Sequence, residues 1–144
     1  MDCTGLGGNI VNIRAIVDCG VPGIAHTAAA RGGVIGLSRT LAVEWAANGI
    51  RVNCVGPGVV ISGRLDNYRA ESLPAFQSCN LMKRSGDVQD DAQAVVYFSA
   101  PSGKLVTGET IRIDGGWSLW GEFWLVGKPM YFDPAAEQSH PARY

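Results

Sequence analysis

Three short β-branched runs, separated by two stretches of helical character, constrain the fold of this chain more than any other feature. The runs are Asn9 to Ile13, Arg51 to Val55 and Glu109 to Asp114. The stretches between them are predicted as helices from Thr27 to Ala47 and from Val88 to Ala100. Buried strands that alternate with helices form parallel sheets through right-handed crossovers. The order of elements therefore predicts an α/β domain with a parallel sheet of about three strands and flanking helices.

The first helix carries signals at both ends and along its length. Thr27 is predicted as its N-cap, and Asn48–Gly49 supplies a stop signal. Leu37, Leu41 and Trp45 recur at helical spacing, which predicts a packed face. Small residues dominate the first turns and would let another backbone or a cofactor approach closely. These small residues are Ala28, Ala29, Ala30, Gly32, Gly33 and Gly36.

Several polar residues are predicted to serve the fold rather than chemistry. Asp87 is predicted to cap the second helix, and Asn53 to bond backbone groups of neighbouring loops. Asp114–Gly116 is predicted as a turn that ends the last strand, and Asn12 is assigned to structure. The less regular segment before Asp87 predicts a short helix around Leu73 to Cys79.

Composition and charge exclude several classes of function. The 144 residues are 47% hydrophobic and show no linker, which predicts one globular domain over residues 1–144. Net charge is −1, with 12 Lys and Arg against 13 Asp and Glu, so we expect no nucleic-acid surface. No apolar run approaches the roughly 20 residues of a membrane helix, and the N-terminus lacks the pattern of a signal peptide.

The cysteines indicate whether the protein binds a metal, and together with the C-terminus they indicate its cellular compartment. The four cysteines form no C-x-x-C pair and have no His at ligand spacing, so we expect no metal site. They are Cys3, Cys19, Cys54 and Cys79. Reduced thiols predict a cytoplasmic protein. A peroxisomal location is the alternative, although the final Ala-Arg-Tyr shares only its basic residue with the S-K-L address.

The run from His26 to Gly58 points to a known family. It reads H-T-A-A-A-R-G-G-V-I-G-L-S-R-T-L-A-V-E-W-A-A-N-G-I-R-V-N-C-V-G-P-G. It resembles the catalytic helix and following strand of the short-chain dehydrogenase/reductase family. Thr27 and Arg31 stand where that family has a Tyr and a Lys, and Ala15 stands where it has a Ser. The resemblance thus implies the scaffold of a nicotinamide enzyme without its usual proton-handling residues.

A second departure from the family concerns the cofactor phosphates. The family opens with a strand, a T-G-x-x-x-G-x-G loop and a helix that receives the pyrophosphate. The glycines in Thr4 to Gly8 do not match, because the I-V-N-I strand follows them instead of a helix. The resemblance therefore covers the C-terminal half of the family domain. The predicted fold is a partial Rossmann-type, doubly wound parallel sheet.

The resemblance implies a nicotinamide site after the second strand. Pro57 and Gly58 with Ser62 resemble the family's P-G-x-x-x-T loop, in which Val60 would supply backbone contacts to the carboxamide. Arg31 would bind the nicotinamide ribose from the Lys position. A simple turn after a strand is the alternative interpretation of Pro57–Gly58, and a solvated or ion-paired side chain that of Arg31. The cofactor is expected to be NADP or NAD, with NADPH favoured.

Four residues are candidates for catalysis. Arg31 would stabilise a developing oxyanion, but a guanidinium stays charged and cannot relay a proton. His26 is a candidate acid or base, and a loop His bonded to backbone is the alternative. Tyr68 is a second candidate proton donor, or else a packing residue. Thr27 occupies the position of the catalytic Tyr.

The missing Tyr favours one reaction over another. Carbonyl reduction needs an acid at the developing alkoxide, whereas reduction of an activated C=C bond does not need that acid at the same place. The motifs look most like the peroxisomal trans-2-enoyl-CoA reductase subgroup and its bacterial relatives. The expected activity is therefore NAD(P)H-dependent reduction of an enoyl thioester by a homo-oligomer. The alternatives are a non-catalytic fragment and an alcohol or ketone dehydrogenase, for example one that acts on an alcohol such as citronellol.

Overall fold

Three parallel strands form the central sheet, and the middle strand pairs with both of the others. The computed structural model describes residues 7–20, 24–62 and 79–119. The strands are β1 (Gly8–Ile13), β2 (Ile50–Pro57) and β5 (Thr110–Ile113). Cys54 pairs with Asn12 on one side and with Thr110 on the other. The predicted parallel α/β sheet with flanking helices is confirmed.

The first helix, α1 (Ala25–Glu44), begins earlier than the sequence predicts. The N-cap position is Ile24, with no side-chain hydrogen bond, so the prediction of Thr27 as the cap was wrong. Alanines on either side favour helix, and this preference extends α1 into a turn without a capping side chain. At the other end a 3₁₀ turn leads into Gly49, whose φ of 67° confirms the stop signal.

The buried face of α1 differs from the predicted one. Ser38 and Ala42 are buried against the sheet, whereas Leu37 is 53% exposed. Leu41 and Trp45 are half-buried. Small side chains let the helix lie close to the strands, so the phase of α1 follows Ser38 and Ala42 rather than the leucines. The predicted packed face is wrong at Leu37 for this reason.

The second long helix, α2 (Val88–Ser99), has the predicted cap. The Asp87 carboxylate accepts hydrogen bonds from the backbone N–H groups of Gln89 (2.7 Å) and Asp90 (3.1 Å). Asp90 returns the bond, accepting from the Asp87 N–H at 2.9 Å. This reciprocal pair is a capping box. On its inner face α2 buries Phe98 completely, against Val55 of β2.

Asn53 joins loops as the sequence predicts. Its Nδ2 donates to the Val106 carbonyl at 2.9 Å, and its Oδ1 accepts from the Glu109 N–H at 3.1 Å. Two very short parallel strands, β3 (Val60–Ile61) and β4 (Gly86–Asp87), pair with each other and have no sequence signal. The helix predicted around Leu73 to Cys79 lies outside the described residues apart from its last position.

Candidate functional site

The carboxyl ends of the three strands meet at one edge of the sheet, where α1 begins. In open parallel sheets ligands bind in the crevice outside this edge. Because α1 follows β1 and returns the chain to the start of β2, its first turns lie at the carboxyl edge and its later turns over the sheet. The site is therefore built from strand ends and from the first turns of α1.

Arg31 and Thr27 lie on the sheet-facing side of α1. They precede buried Ser38 by seven and eleven residues, about two and three helical turns, and so share its face. Ser38 accepts a hydrogen bond from Asn12 and another from the Cys54 thiol, which fixes it over the middle of the sheet. Arg31 lies about 10 Å along the helix axis from Ser38. This rise carries Arg31 to the level where β2 ends.

The environment of Arg31 is open. It is exposed, and no salt bridge or hydrogen bond joins it to another residue of the ranges 7–20, 24–62 and 79–119. Thr27 is half-buried. The glycines next to Arg31 border open space, because a Cβ added at Gly32, Gly33 or Gly36 meets no described atom within 4 Å. The packing of this region does not explain why an arginine and a row of small residues occur here.

His26 and Tyr68 are not brought to this site by the described structure. One residue along a helix turns the side chain by about 100°, so His26 projects away from the face of Thr27 and Arg31. It is exposed and lies on the same side of α1 as exposed Leu37. Tyr68 lies outside the described residues. The role of either residue as a proton donor stays a prediction.

The Pro57–Gly58 turn is held by two neighbouring segments. The Ile16 N–H donates to the Pro57 carbonyl at 3.2 Å, and the Gly58 N–H donates to the Ile113 carbonyl at 2.8 Å. A Cβ on Gly58 would stand only 2.7 Å from the Asp114 Cα. Glycine is therefore required at position 58 by close packing on β5, whatever else the turn binds.

Val60 and Ser62 follow this turn at the same edge. Val60 is the first residue of β3, where it pairs with Gly86, and it is half-buried. Ser62 lies just beyond β3 and is exposed. The hydroxyl of Ser62 is therefore open to a ligand.

Asp114 closes the last strand and organises the turn after it. Its carboxylate accepts from the backbone N–H of Gly116 at 2.9 Å and from that of Ser118 at 3.0 Å. Burial raises the pKa of Asp114, but the hydrogen bonds from Ser118 and Gly116 and the charge of Arg112 outweigh burial. The net pKa lies below the ordinary value of 3.8. Gly115 and Gly116 have φ of 59° and 84°, which confirms the predicted turn.

Arg14 is a buried cation that the sequence reasoning missed. It continues β1 by donating its N–H to the Val55 carbonyl at 2.9 Å, and its side chain is only 2% exposed. Its guanidinium forms a 2.9 Å salt bridge with Asp18 and lies over Gly56. A signal was present, because a cation directly after a buried strand has a carboxylate four residues later.

A cleft of about 570 Å³ lies beside the Asp114 turn. Its walls combine apolar side chains with charged ones, among them Leu81, Met82, Arg84 and Asp90. None of the predicted site residues within the described ranges lines it. Val59, which directly follows the Pro57–Gly58 turn, does line the cleft, so the cleft adjoins that turn.

The sequence predicted neither a metal site nor a membrane helix. The described part of the chain has no cluster of three or more His, Cys, Asp or Glu side chains that could hold a metal ion. None of the helices in that part is long and apolar enough to cross a bilayer.

The described residues fit one end of a dinucleotide better than the other. At the carboxyl edge, an unpaired guanidinium and an exposed hydroxyl offer donors suited to a ribose and a carboxamide. Gly7 and Gly8 are not part of a phosphate loop. Gly7 packs on Gly49, where an added Cβ would meet the carbonyl oxygen at 2.6 Å, and Gly8 enters β1. The prediction that these glycines lead into a strand is confirmed for Gly7 and Gly8.

Comparisons with known proteins agree with this fold. The family model described as Enoyl-(Acyl carrier protein) reductase matches residues 2–118. Nodulation protein G of Rhizobium is 35% identical over 113 residues, which cover 78% of this chain and 46% of the relative. The 3-oxoacyl-(acyl-carrier-protein) reductase FabG of Staphylococcus epidermidis is 37% identical over 110 residues, covering 76% of this chain and 45% of the relative.

Solved structures of oxidoreductases share the fold of this chain. A protein from Agrobacterium tumefaciens, assigned as a 2-deoxy-d-gluconate 3-dehydrogenase and crystallised with bound NADP, aligns with a TM-score of 0.72 at 34% identity. The alignment covers 78% of this chain and 47% of that one. Acetoin dehydrogenase from Salmonella typhimurium aligns with a TM-score of 0.70 at 25% identity, covering 82% and 46%.

The chain thus spans about half the length of the curated relatives it matches. The family model covers most of the chain, and the fold agrees with that of the solved relatives. By these criteria this chain belongs to the short-chain dehydrogenase/reductase family.

Proposed function

We propose that this protein supplies the nicotinamide side of an NAD(P)H-dependent reductase, and that its reaction is reduction of the C=C bond of an enoyl thioester. The observation that carries the proposal is the presence of both Thr27 and an exposed Arg31 on the sheet-facing side of α1, where Arg31 has no ion-pair partner among the described residues. The family's Tyr and Lys would occupy these positions. Their replacement removes a proton donor and keeps a cation.

The residues of the carboxyl edge are assigned to the cofactor as follows. Arg31 would hydrogen-bond the nicotinamide ribose, the backbone around Gly58 and Val60 would face the carboxamide, and the Ser62 hydroxyl would orient it. The cofactor supplies a hydride to the substrate. The NADP found in the Agrobacterium relative supports NADP as the cofactor, with NADPH as its reducing form.

The charge of Arg31 suits the chemistry of a conjugated thioester. When hydride reaches the β-carbon, negative charge moves to the thioester oxygen, where a guanidinium donates hydrogen bonds and stabilises it. The α-carbon then takes a proton from water or from a residue such as His26 or Tyr68. Thr27 cannot serve as that acid, because an aliphatic hydroxyl has no suitable pKa.

Reduction of a carbonyl is the second candidate. The relatives named as 3-oxoacyl reductase and as dehydrogenases favour it, and an alcohol or ketone dehydrogenase of the citronellol type belongs to the same class. The residues at positions 15 and 27 count against it, since neither Ala15 nor Thr27 can protonate an alkoxide. A non-catalytic fragment is the third interpretation, because the described residues lack a phosphate loop.

The test is a binding and turnover experiment on the purified chain. NADPH and then NADH are titrated while nicotinamide fluorescence is followed, and a trans-2-enoyl-CoA or a 3-oxoacyl-CoA is then added. We expect saturable NADPH binding and formation of the saturated acyl-CoA from the enoyl substrate, identified by mass spectrometry. Conversion of only the 3-oxoacyl-CoA to a hydroxy product would establish the second candidate. No binding up to millimolar cofactor would establish the third for this chain.

Arg31→Gln isolates the contribution of the guanidinium. Loss of a donor to a developing oxyanion costs about 10²–10³ in kcat, and we expect a decrease of that order. Lys104→Gln removes one exposed positive charge far from the carboxyl edge and serves as the matched control. Equal rates for the two variants would remove Arg31 from the mechanism.

A further inference from the structure

A second, smaller pocket lies on the α1 face of the sheet, between α1 and β5. Its volume is about 230 Å³, and its walls are mostly polar and charged. They are formed by Arg14, Asp18, Ile35, Arg39, Glu109, Thr110 and Arg112. None of the residues assigned to the nicotinamide end belongs to this set.

The architecture brings these residues together from four segments. Thr110 and Arg112 are two positions apart on β5, so their side chains point to the same face of the sheet. Cys54, which pairs with Thr110 and contacts Ser38 of α1, points to this face as well. Ile35 and Arg39 are one helical turn apart on α1 and lie against this face. The pocket is thus a product of the sheet register and of the phase of α1.

Positive charge exceeds negative charge in the pocket. Three guanidinium groups face two carboxylates, Asp18 and Glu109. Asp18 is already engaged with buried Arg14 at 2.9 Å, so that pair is neutral. Arg39 and Arg112 are exposed and form no salt bridge within the part of the chain that the structure describes. The charges of Arg39, Arg112 and Glu109 therefore sum to a net charge of +1 in the pocket.

Arg14 also brings to this pocket a buried hydrogen-bond donor that has no acceptor within the described ranges. The Nε of Arg14 is buried and has no hydrogen-bond partner among the described residues. Its two Nη groups are occupied by Asp18 and by the Ala15 carbonyl. Arg14 therefore leaves one buried N–H donor without an acceptor in the described part of the chain, while Arg39, Arg112 and the Thr110 hydroxyl offer further hydrogen-bond donors.

We propose that this pocket binds a small oxyanion, namely a phosphate group. Two guanidinium forks and a hydroxyl suit the several acceptor oxygens of phosphate, and Arg makes bidentate contacts with it. The volume admits one phosphate group with water. This binding does not depend on the proposed reductase activity, since it uses other residues.

The experiment is an NMR titration of the isotopically labelled chain with inorganic phosphate alone. We expect saturable shifts of the amide signals of Thr110 and Arg112, and no such shifts with sodium chloride at equal ionic strength. A parallel titration with glycerol 3-phosphate distinguishes the source. Tighter binding of this phosphomonoester identifies a phosphorylated molecule as the ligand, and tighter binding of inorganic phosphate identifies the free ion.

Charge variants connect the signal with the pocket. One unit charge a few ångströms away in water is worth about a fivefold change in affinity, so Arg39→Gln should weaken phosphate binding about fivefold. Glu109→Gln should strengthen it by a similar factor, and its backbone bond to Asn53 remains. Lys104→Gln, outside the pocket, should leave binding unchanged. Equal shifts with chloride, or equal affinities for Arg39→Gln and Glu109→Gln, would overturn the proposal.

Discussion

Two regions at the same edge of the sheet are built in opposite ways. At the end of β2, Gly58 lies so close to Asp114 that an added Cβ would stand 2.7 Å from a backbone atom. At the start of α1, an added Cβ on Gly32, Gly33 or Gly36 meets no described atom within 4 Å. Both regions are rich in glycine and both belong to the motif that relates this chain to its family.

The contrast separates structural requirements from functional ones. Packing on Asp114 accounts for Gly58 by itself, so this residue is weak support for a cofactor. No contact within the described ranges accounts for Arg31 or for the small residues beside it. Arg31 is therefore the stronger indicator of a bound molecule, and the end of β2 is the rigid support beside it.

Gly58→Ala should produce the largest loss of stability. Its Cβ would meet Asp114 Cα and Cβ, at 2.7 and 3.0 Å, and the strand hydrogen bond to Ile113 prevents retreat. Forcing a methyl group into such a site costs about 1–3 kcal/mol, and we expect the upper part of that range. Urea denaturation followed by circular dichroism measures the change. A free energy of unfolding equal to that of the wild type would mean that the end of β2 is as open as the start of α1.

Asp114→Asn should be next in size. The variant loses the charge that accepts hydrogen bonds from Gly116 and Ser118, with an expected cost of about 1–3 kcal/mol near neutral pH. Because folding lowers the pKa of Asp114, its stabilisation is complete above the ordinary value of 3.8. It is lost as the pH falls below that value through the lower folded pKa.

Asp91→Asn is the control for Asp114→Asn, because it should change the free energy of unfolding in the opposite direction. Burial, followed by the charges of Asp90 and Asp87, raises the pKa of Asp91. A raised carboxyl pKa means that the charged form destabilises the fold above the ordinary pKa, so Asp91→Asn should stabilise near neutral pH. Urea titrations of the wild type and both variants at several pH values would show the two signs. A pH-independent effect of Asp114→Asn would contradict the electrostatic origin.

Ser38→Ala tests the anchor that fixes the phase of α1. The hydroxyl of buried Ser38 accepts from Asn12 Nδ2 at 2.8 Å, and the variant leaves that half-buried amide without its acceptor. We expect a loss of about 1–2 kcal/mol. Ser99→Ala is the matched control, since Ser99 accepts a hydrogen bond from Asn9 at an exposed position. Equal losses for the two variants would show that Ser38 does not anchor the helix.

Gly33→Ala should have the smallest effect, with the opposite sign. Alanine in an open helix position is favoured over glycine by about 0.5–1 kcal/mol, so the variant should be slightly more stable. Gly33 lies about 160° round the helix from Arg31, so the same variant should leave NADPH binding unchanged. A less stable variant would show that position 33 is not open.

The elements that the sequence predicted well depend on neighbours in the chain. The Asp87 cap and the Asp114–Gly116 turn involve groups within about four residues, so their residue types indicate them directly. The three strands were found because β-branched runs are themselves the signal. The pair β3 and β4 was missed, because strands of two residues contain no period.

The candidate site was only partly predictable. Arg31 was identified from its position in a family motif, and the structure adds that it forms no ion pair with another described residue and is in phase with Ser38. The cap assigned to Thr27 was wrong because helix propensity extends α1 beyond it. Arg14 was missed because its burial depends on Gly56 of another strand.

By itself, the sequence determined the α/β class, the parallel sheet and the membership of a family, since these follow from the order of elements and from runs of consecutive residues. Only the tertiary structure decided which face of α1 is buried, why residue 58 is glycine, and that Arg14, Arg39 and Arg112 surround one pocket. Each of these depends on distances between residues far apart in the chain, which are fixed by sheet register and close packing rather than by local preference.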